Sequence, residues 1–242
     1  MLRQPITIVG GLAVLARLRT AYRVTTDIDT VNRREDGMPS QLDVLVREGA
    51  KPVDAAGATL STPAGEVRVD VLEIAGSQLQ DLPTDPTDRL YVLAHDWARE
   101  TATSLRIHAR QDAGTSPVCV TALVSEPGPL VATKLQALPN RSRAKESTDL
   151  LDIARLVLDE RAGPVVRDQL AEAASQLRAD AALHVERWFH TAIDRSTRLV
   201  NSLPDGRDID RTAVELVGDL LLTSLHGQGM PVSRGGRPPR RG

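Results

Sequence analysis

The stretch Val24-Thr25-Thr26-Asp27-Ile28-Asp29-Thr30-Val31 sets two acids into a run of β-branched residues. Such residues favour the pleated backbone, so the run predicts a strand. Side chains two apart on a strand share a face, roughly 6.5–7 Å apart along the chain. Asp27 and Asp29 therefore project together. A third acid, Asp70, lies in Val67-Arg68-Val69-Asp70-Val71-Leu72, which has the same character. With those two strands side by side, three carboxylates converge, and their repulsion is severe unless a cation sits between them. Hard oxygen ligands of this kind suit Mg²⁺ or Mn²⁺. Magnesium held by acids beside a glycine turn points to phosphoryl or nucleotidyl transfer.

Upstream of the acid pair, residues 6–9 form a short apolar strand, Gly10-Gly11 breaks it, and residues 12–21 continue as a helix. A glycine pair between a strand and a helix frees backbone N–H groups at a helix N-terminus, a geometry that holds phosphate. Each piece has a plain alternative: Gly-Gly also makes ordinary turns, and an Asp-Ile-Asp run also suits a solvated strand face. The order glycine turn, helix, acid pair, hairpin acid is more specific than any part.

Downstream, Ser40 and Asp43 have the spacing of a cap and its partner for a helix over 40–47. Residues 59–61 and 67–74 flank Pro63-Ala64-Gly65 as a hairpin, and 104–109 with 118–123 form a second around Asp112-Ala113-Gly114. Helices are predicted over 88–100 and 129–138. From about Arg143 the pattern is almost wholly helical, over 146–158, 165–177, the stripe Val185 to Val200, and the stripe Val214 to Leu221. The fold class is thus α/β: an N-terminal mixed sheet with helices over 1–142, then a C-terminal helical bundle over 143–232 that completes the active site. The tail 233–242 carries Arg234, Arg237, Arg240 and Arg241 with no acid; it is expected to be disordered, either a solubilising tail or a weak RNA-phosphate arm.

The chain has 242 residues, 41% of them hydrophobic but only 2% aromatic, so its core is aliphatic and alanine-rich. That scarcity argues against recognition of bases mainly by aromatic stacking. A formal charge of −2 gives no global basic field. Cys119 is the one cysteine, which excludes an internal disulfide and a multi-cysteine zinc site and suggests a reducing, cytoplasmic setting. No run approaches the ~18 apolar residues of a membrane span. The apolar stretch 6–16 lacks a clear cleavage signature, so export is not expected.

Two motifs carry a resemblance. Ile8-Val9-Gly10-Gly11-Leu12-Ala13-Val14-Leu15 followed by Arg23-Val24-Thr25-Thr26-Asp27-Ile28-Asp29 resembles the first motif of AbiEii-type toxin nucleotidyltransferases, within the polymerase-β-like superfamily. Lys134-Leu135-Gln136-Ala137-Leu138 and Arg143-Ala144-Lys145-Glu146-Ser147-Thr148-Asp149-Leu150 resemble that family's Lys-x-x-Ala-Leu and Arg-x-Lys-Asp-x-x-Asp-Leu region. The likeness spans roughly 6–158. It implies that Gly10 and Gly11 line the phosphate turn, that Asp27 and Asp29 hold magnesium with Asp70 as third acid, and that Lys134 approaches the nucleotide phosphates. Asp149 would complete the site and Arg23 would contact phosphate. It further implies an NTP substrate, an RNA acceptor such as a tRNA 3′ end, and a cognate antitoxin. The chain departs from the pattern in having Gly11 where serine is frequent and Glu146 where aspartate is common.

Without the resemblance, Lys134 reads as an exposed helix lysine, Lys145 and Asp149 as a surface ion pair four residues apart, and Asp152 as a solvated acid. His95 reads as a packed or solvated histidine, and His184 and His190 lack the four-residue spacing of a helical zinc pair. Transfer to a small-molecule or protein hydroxyl, or a catalytically silent binding module on the same fold, are the competing functions.

Overall fold

The computed structural model describes residues 6–35, 37–63, 65–109 and 118–227. The turn expected at Asp112-Ala113-Gly114 and the arginine-rich tail lie outside them.

Strand β1 (Thr7–Val9) runs directly into helix α1 (Gly10–Arg17), and β2 (Asp27–Arg34) follows. Helix α2 (Gln41–Arg47) begins at the expected capping box: Ser40 Oγ accepts from the Asp43 N–H, and Asp43 accepts from the Ser40 N–H. Next come β3 (Lys51–Pro52), β4 (Gly57–Thr62), β5 (Gly65–Ala75), the short α3 (Gly76–Gln80) and α4 (Pro86–Glu100). Asp85 caps α4, accepting from the Thr87 and Asp88 N–H groups, with Pro86 in the first turn. Strands β6 (Thr103–Ala109) and β7 (Val118–Val124) pair antiparallel and lead to α5 (Pro127–Ala137). The helical half comprises α6 (Arg143–Leu158), α7 (Ala162–Glu172), α8 (Ser175–Val185), a π-helical turn over Glu186–Thr191, α9 (Ile193–Asn201) and α10 (Arg211–His226).

The seven described strands form one mixed sheet in the order β3-β4-β5-β2-β1-β7-β6. The pairs β2–β5 and β1–β7 are parallel and the rest antiparallel. Alternation along β2 assigns the two faces. Val31 joins the main core, so Asp27 and Asp29, its period-two neighbours, share the face covered by the helices; Ile28 joins a smaller cluster under α2 with Leu45, Val69 and Val71. The main core is continuous through both halves of the chain, from Val9 and Val14 through Leu130 and Leu135 to Leu151, Phe189 and Leu221. It is aliphatic as the composition requires. Arg17 ties α1 to the end of β7, donating to the Ser125 and Val124 carbonyls at 2.9 and 2.6 Å.

Three sequence expectations are corrected. The first helix spans Gly10–Arg17 rather than 12–21, because it starts on the glycine itself. The acid strand starts at Asp27 rather than Val24. The helix expected over 165–177 is two helices: α7 already includes Gly163-Pro164, and the chain turns extended at Ala173 and Ala174 before α8. No glycine or proline marks that break. Leu170 and Leu177, on either side of it, are both buried, so packing overrides the helix propensity of alanine. Among the described residues no helix is long and apolar enough to cross a membrane.

Candidate active site

The parallel ladder sets Asp29 beside Asp70, and β1 sets Val9 beside Asp29 on the other side. One carboxylate oxygen from each of Asp27, Asp29 and Asp70 lies within 4.8 Å of the others, and all three acids are half-buried. The convergence expected from strand pairing is therefore present. Burial foremost, then the negative charge of Asp27, pushes the Asp29 carboxyl above the usual carboxylate range; Lys134 pulls it back and Asp70 adds to the rise. Thr25 Oγ1 donates to Asp27 Oδ1 at 2.9 Å. Arg68 Nε holds Asp70 Oδ1 at 2.8 Å while its Nη2 reaches Asp54 at 2.6 Å.

Glycines make room for these acids. Gly10 has φ +63°, and a Cβ there would lie 1.8 Å from Asp29 Oδ2. Gly57, opposite Asp70 in the β4–β5 ladder, leaves a space where a Cβ would lie 2.6 Å from Asp70 Oδ1. A Cβ at Gly11 would meet Arg23 Nη2 at 2.7 Å, so a serine at this position would crowd the guanidinium. Helix α1 thus opens with bare backbone N–H groups; its N-cap, Val9, offers no side-chain acceptor.

Cationic side chains share the cleft with Asp27 and Asp29. Lys134, from α5, is buried at 6% exposure rather than exposed. Its Nζ lies 2.6 Å from both Asp149 Oδ1 and Asp152 Oδ2. An ammonium has three N–H donors, so one remains for a third partner. Burial alone would lower the Lys134 pKa, but Asp149 and Asp152 outweigh it and hold it above the ordinary lysine value. Lys134 is a fixed cation, not a base. Arg141 Nε donates to Asp149 Oδ2 at 3.0 Å. The surface pair expected between Lys145 and Asp149 gives way to Lys134 and Arg141 as the partners of Asp149.

Asp152 is the largest correction. It is fully buried, not solvated. Tyr22 donates its hydroxyl to Asp152 Oδ1, Arg23 donates to its two oxygens at 3.1 and 2.9 Å, and Lys134 completes the set. Burial opposes its charge, yet Lys134 and Arg23 together hold its carboxyl below the usual range. Asp149 and Asp152 are three apart on α6, a spacing that shares a helix face; that was the available signal. Glu146, three residues before Asp149, is spent structurally, 2.5 Å from Arg195 of α9.

Gly10, Gly11, Arg23, Asp27, Asp29, Lys134, Arg141, Lys145 and Asp149 all line one cleft of about 310 Å³. Among the described residues Asp70 joins the acid cluster without lining the cleft itself. His95 is packed as expected: its Nδ1 meets the Tyr91 carbonyl at 2.7 Å. Cys119 is exposed and free.

No family model matches the chain, and no curated protein matches it. Among solved structures it is similar to an antigenic nucleotidyltransferase-like protein from Paracoccidioides brasiliensis, with 19% identity over 79% of this chain and 83% of that one, and a TM-score of 0.41. What the site can do follows from its own geometry.

The donor set suits a hard divalent ion. Three oxygens converge, and burial with the neighbouring acids opposes the charge of Asp29, a penalty that a bound cation removes. Four cationic side chains, Arg23, Lys134, Arg141 and Lys145, line the same cleft, and the charges of Lys134 and Arg141 act on Asp29.

Proposed function

We propose that the protein is a metal-dependent nucleotidyltransferase that moves NMP from an NTP to an acceptor hydroxyl and releases pyrophosphate. The observation that carries this reading is one cleft lined by two of the three clustered acids, Asp27 and Asp29, together with four cationic side chains, at the N-terminus of a helix without a side-chain cap. Asp27, Asp29 and Asp70 would hold Mg²⁺ or Mn²⁺. Bound there, the ion neutralises phosphate charge and activates the attacking hydroxyl. Gly10 and Gly11 present N–H groups to phosphate oxygens. Lys134, fixed by Asp149 and Asp152, turns its remaining N–H toward the triphosphate. Arg141 and Lys145 add positive charge at the mouth. Arg23, paired with Asp152, lines the same cleft.

The motif resemblance extends the proposal to the AbiEii toxin type, acting in the cytoplasm with RNA, in particular a tRNA 3′ end, as acceptor and an antitoxin as partner. The net charge of −2 favours a second reading, transfer to a small-molecule or protein hydroxyl, since no global basic field draws RNA to the chain.

Incubation with α-phosphate-labelled NTPs, Mg²⁺ and total tRNA tests both. Label in RNA supports the first acceptor; NTP consumption with no label in RNA rejects it. Asp27→Asn and Asp29→Asn should each lower transfer at least about a hundredfold, the scale of losing a charge-stabilising group at a reacting phosphate, while the far-ultraviolet circular dichroism is retained. Unchanged pyrophosphate release by either variant contradicts the nucleotidyltransferase reading.

A further inference from the structure

Most polar side chains lining the cleft are already engaged. Thr25 is bonded to Asp27, the Thr133 hydroxyl to the Leu130 carbonyl, and the Thr148 hydroxyl to the Ala144 carbonyl. Two nearly buried groups are not. His95, at 5% exposure, uses only Nδ1, and Gln136, at 8%, has no partner for its amide among the described residues. Both line the cleft, from adjoining helices α4 and α5. Gln136 lies two residues beyond Lys134, so the two side chains address different parts of the cleft. The Tyr91 ring packs on His95 with centroids 4.4 Å apart and planes tilted by 44°, and Tyr91 and Leu72 line the same cleft.

The His95 ring has one usable tautomer. A carbonyl only accepts, so Nδ1 must carry the proton that meets the Tyr91 carbonyl. Nε2 is then a lone pair. Burial, chiefly, with the nearby Arg141 cation lowers the ring's pKa to about 4 despite that carbonyl, so Nε2 stays an acceptor at neutral pH. Gln136 differs: its amide rotates to offer N–H or C=O as needed. The histidine, not the glutamine, is the group that can discriminate.

We infer that the cleft selects nucleotides whose base carries an amino group at purine C6 or pyrimidine C4, adenine or cytosine, with His95 Nε2 accepting from that group and Gln136 donating to the adjacent ring nitrogen. The inference rests on the nucleotidyltransferase reading and adds its substrate preference. Guanine and uracil present a carbonyl oxygen at the same position. That oxygen would face the Nε2 lone pair, leaving two acceptors opposed in a partly dehydrated site. His95 is a specificity residue here, not a general base.

Calorimetric titration of the protein with Mn²⁺ and each of ATP, CTP, GTP, UTP and inorganic tripolyphosphate tests this. ATP and CTP are expected to bind about tenfold or more tighter than GTP and UTP, the scale of one well-placed base contact. His95→Phe keeps a ring but no acceptor, and His95→Gln offers either a donor or an acceptor; both should erase the preference, with tripolyphosphate affinity reporting an intact phosphate site. Equal binding of the four NTPs by the unaltered protein, a preference for GTP or UTP, or a preference that survives both substitutions overturns the inference while leaving the transferase reading standing. If neither tripolyphosphate nor any NTP binds, the transferase reading fails and the inference with it.

Discussion

At the scale of single residues, opposed charges decide the behaviour of the site. Asp29 is held in a place that resists its ionisation, whereas Asp152 is held in a place that demands it. The signs of their pH effects are therefore opposite. Because the folded-state pKa of Asp29 is raised, the native state binds more protons than the unfolded one between the two pKa values, so stability falls as pH rises through that window. Asp29→Asn should accordingly raise the melting temperature of the metal-free protein near neutral pH. That gain should vanish as pH drops below the ordinary carboxylate range. Thermal melts of both proteins across that range check this, and a gain that grows toward low pH contradicts it. For Asp152 the stabilising charge is present above its unfolded pKa and is lost as pH falls through the depressed folded value. Asp152→Asn removes one side of a buried ion network and should cost about 3–5 kcal/mol in urea unfolding. The convergence of Asp27, Asp29 and Asp70 was legible because strand periodicity fixes which side chains share a face. Asp152 was not: nothing local to α6 tells that Tyr22 and Arg23, some 130 residues earlier, converge on it.

At the scale of elements, the junction of β1 and α1 is the sensitive point. The helix begins on Gly10 in the left-handed region, with the Asp29 carboxylate where a side chain would go. Gly10→Ala should cost about 1–2 kcal/mol for the backbone conformation alone. It should also displace Asp29, which would appear as weakened Mn²⁺ binding. Ser40→Ala, in the capping box of α2 on the other face of the sheet, should cost about 1 kcal/mol and leave metal binding unaltered. Local signals located these elements: the Gly-Gly pair, the cap spacing at Ser40 and Asp43, and the turn before β5. They failed where tertiary packing dictates the backbone, as at the Ala173-Ala174 break and at the two-residue strand β3. Gly57 was overlooked for a related reason: its role depends on which strand lies across from Asp70, and the ladder alone supplies that.

At the scale of the whole molecule, one aliphatic core joins the sheet to the C-terminal helices, and the cleft is built from both halves. The acids come from β2 and β5, Lys134 from α5, and the carboxylates that hold it from α6. Leu135 of α5, fully buried in that shared core, should cost about 2–5 kcal/mol when replaced by alanine. Urea unfolding of the unaltered protein should follow a single transition; two separated transitions would mean that the halves are independent. The sequence showed the change from mixed to helical pattern near Arg143 but not this interlock, since hydrophobic periodicity identifies inward faces and not what they pack against. The central claim is that Asp27, Asp29 and Asp70 form a divalent-ion site. Electron paramagnetic resonance titration of Mn²⁺ tests it most directly, comparing the unaltered protein with the Asp27→Asn, Asp29→Asn double variant, with and without tripolyphosphate. The account predicts saturable Mn²⁺ binding that tripolyphosphate strengthens and that the double variant loses; equal Mn²⁺ binding by the two folded proteins would contradict it.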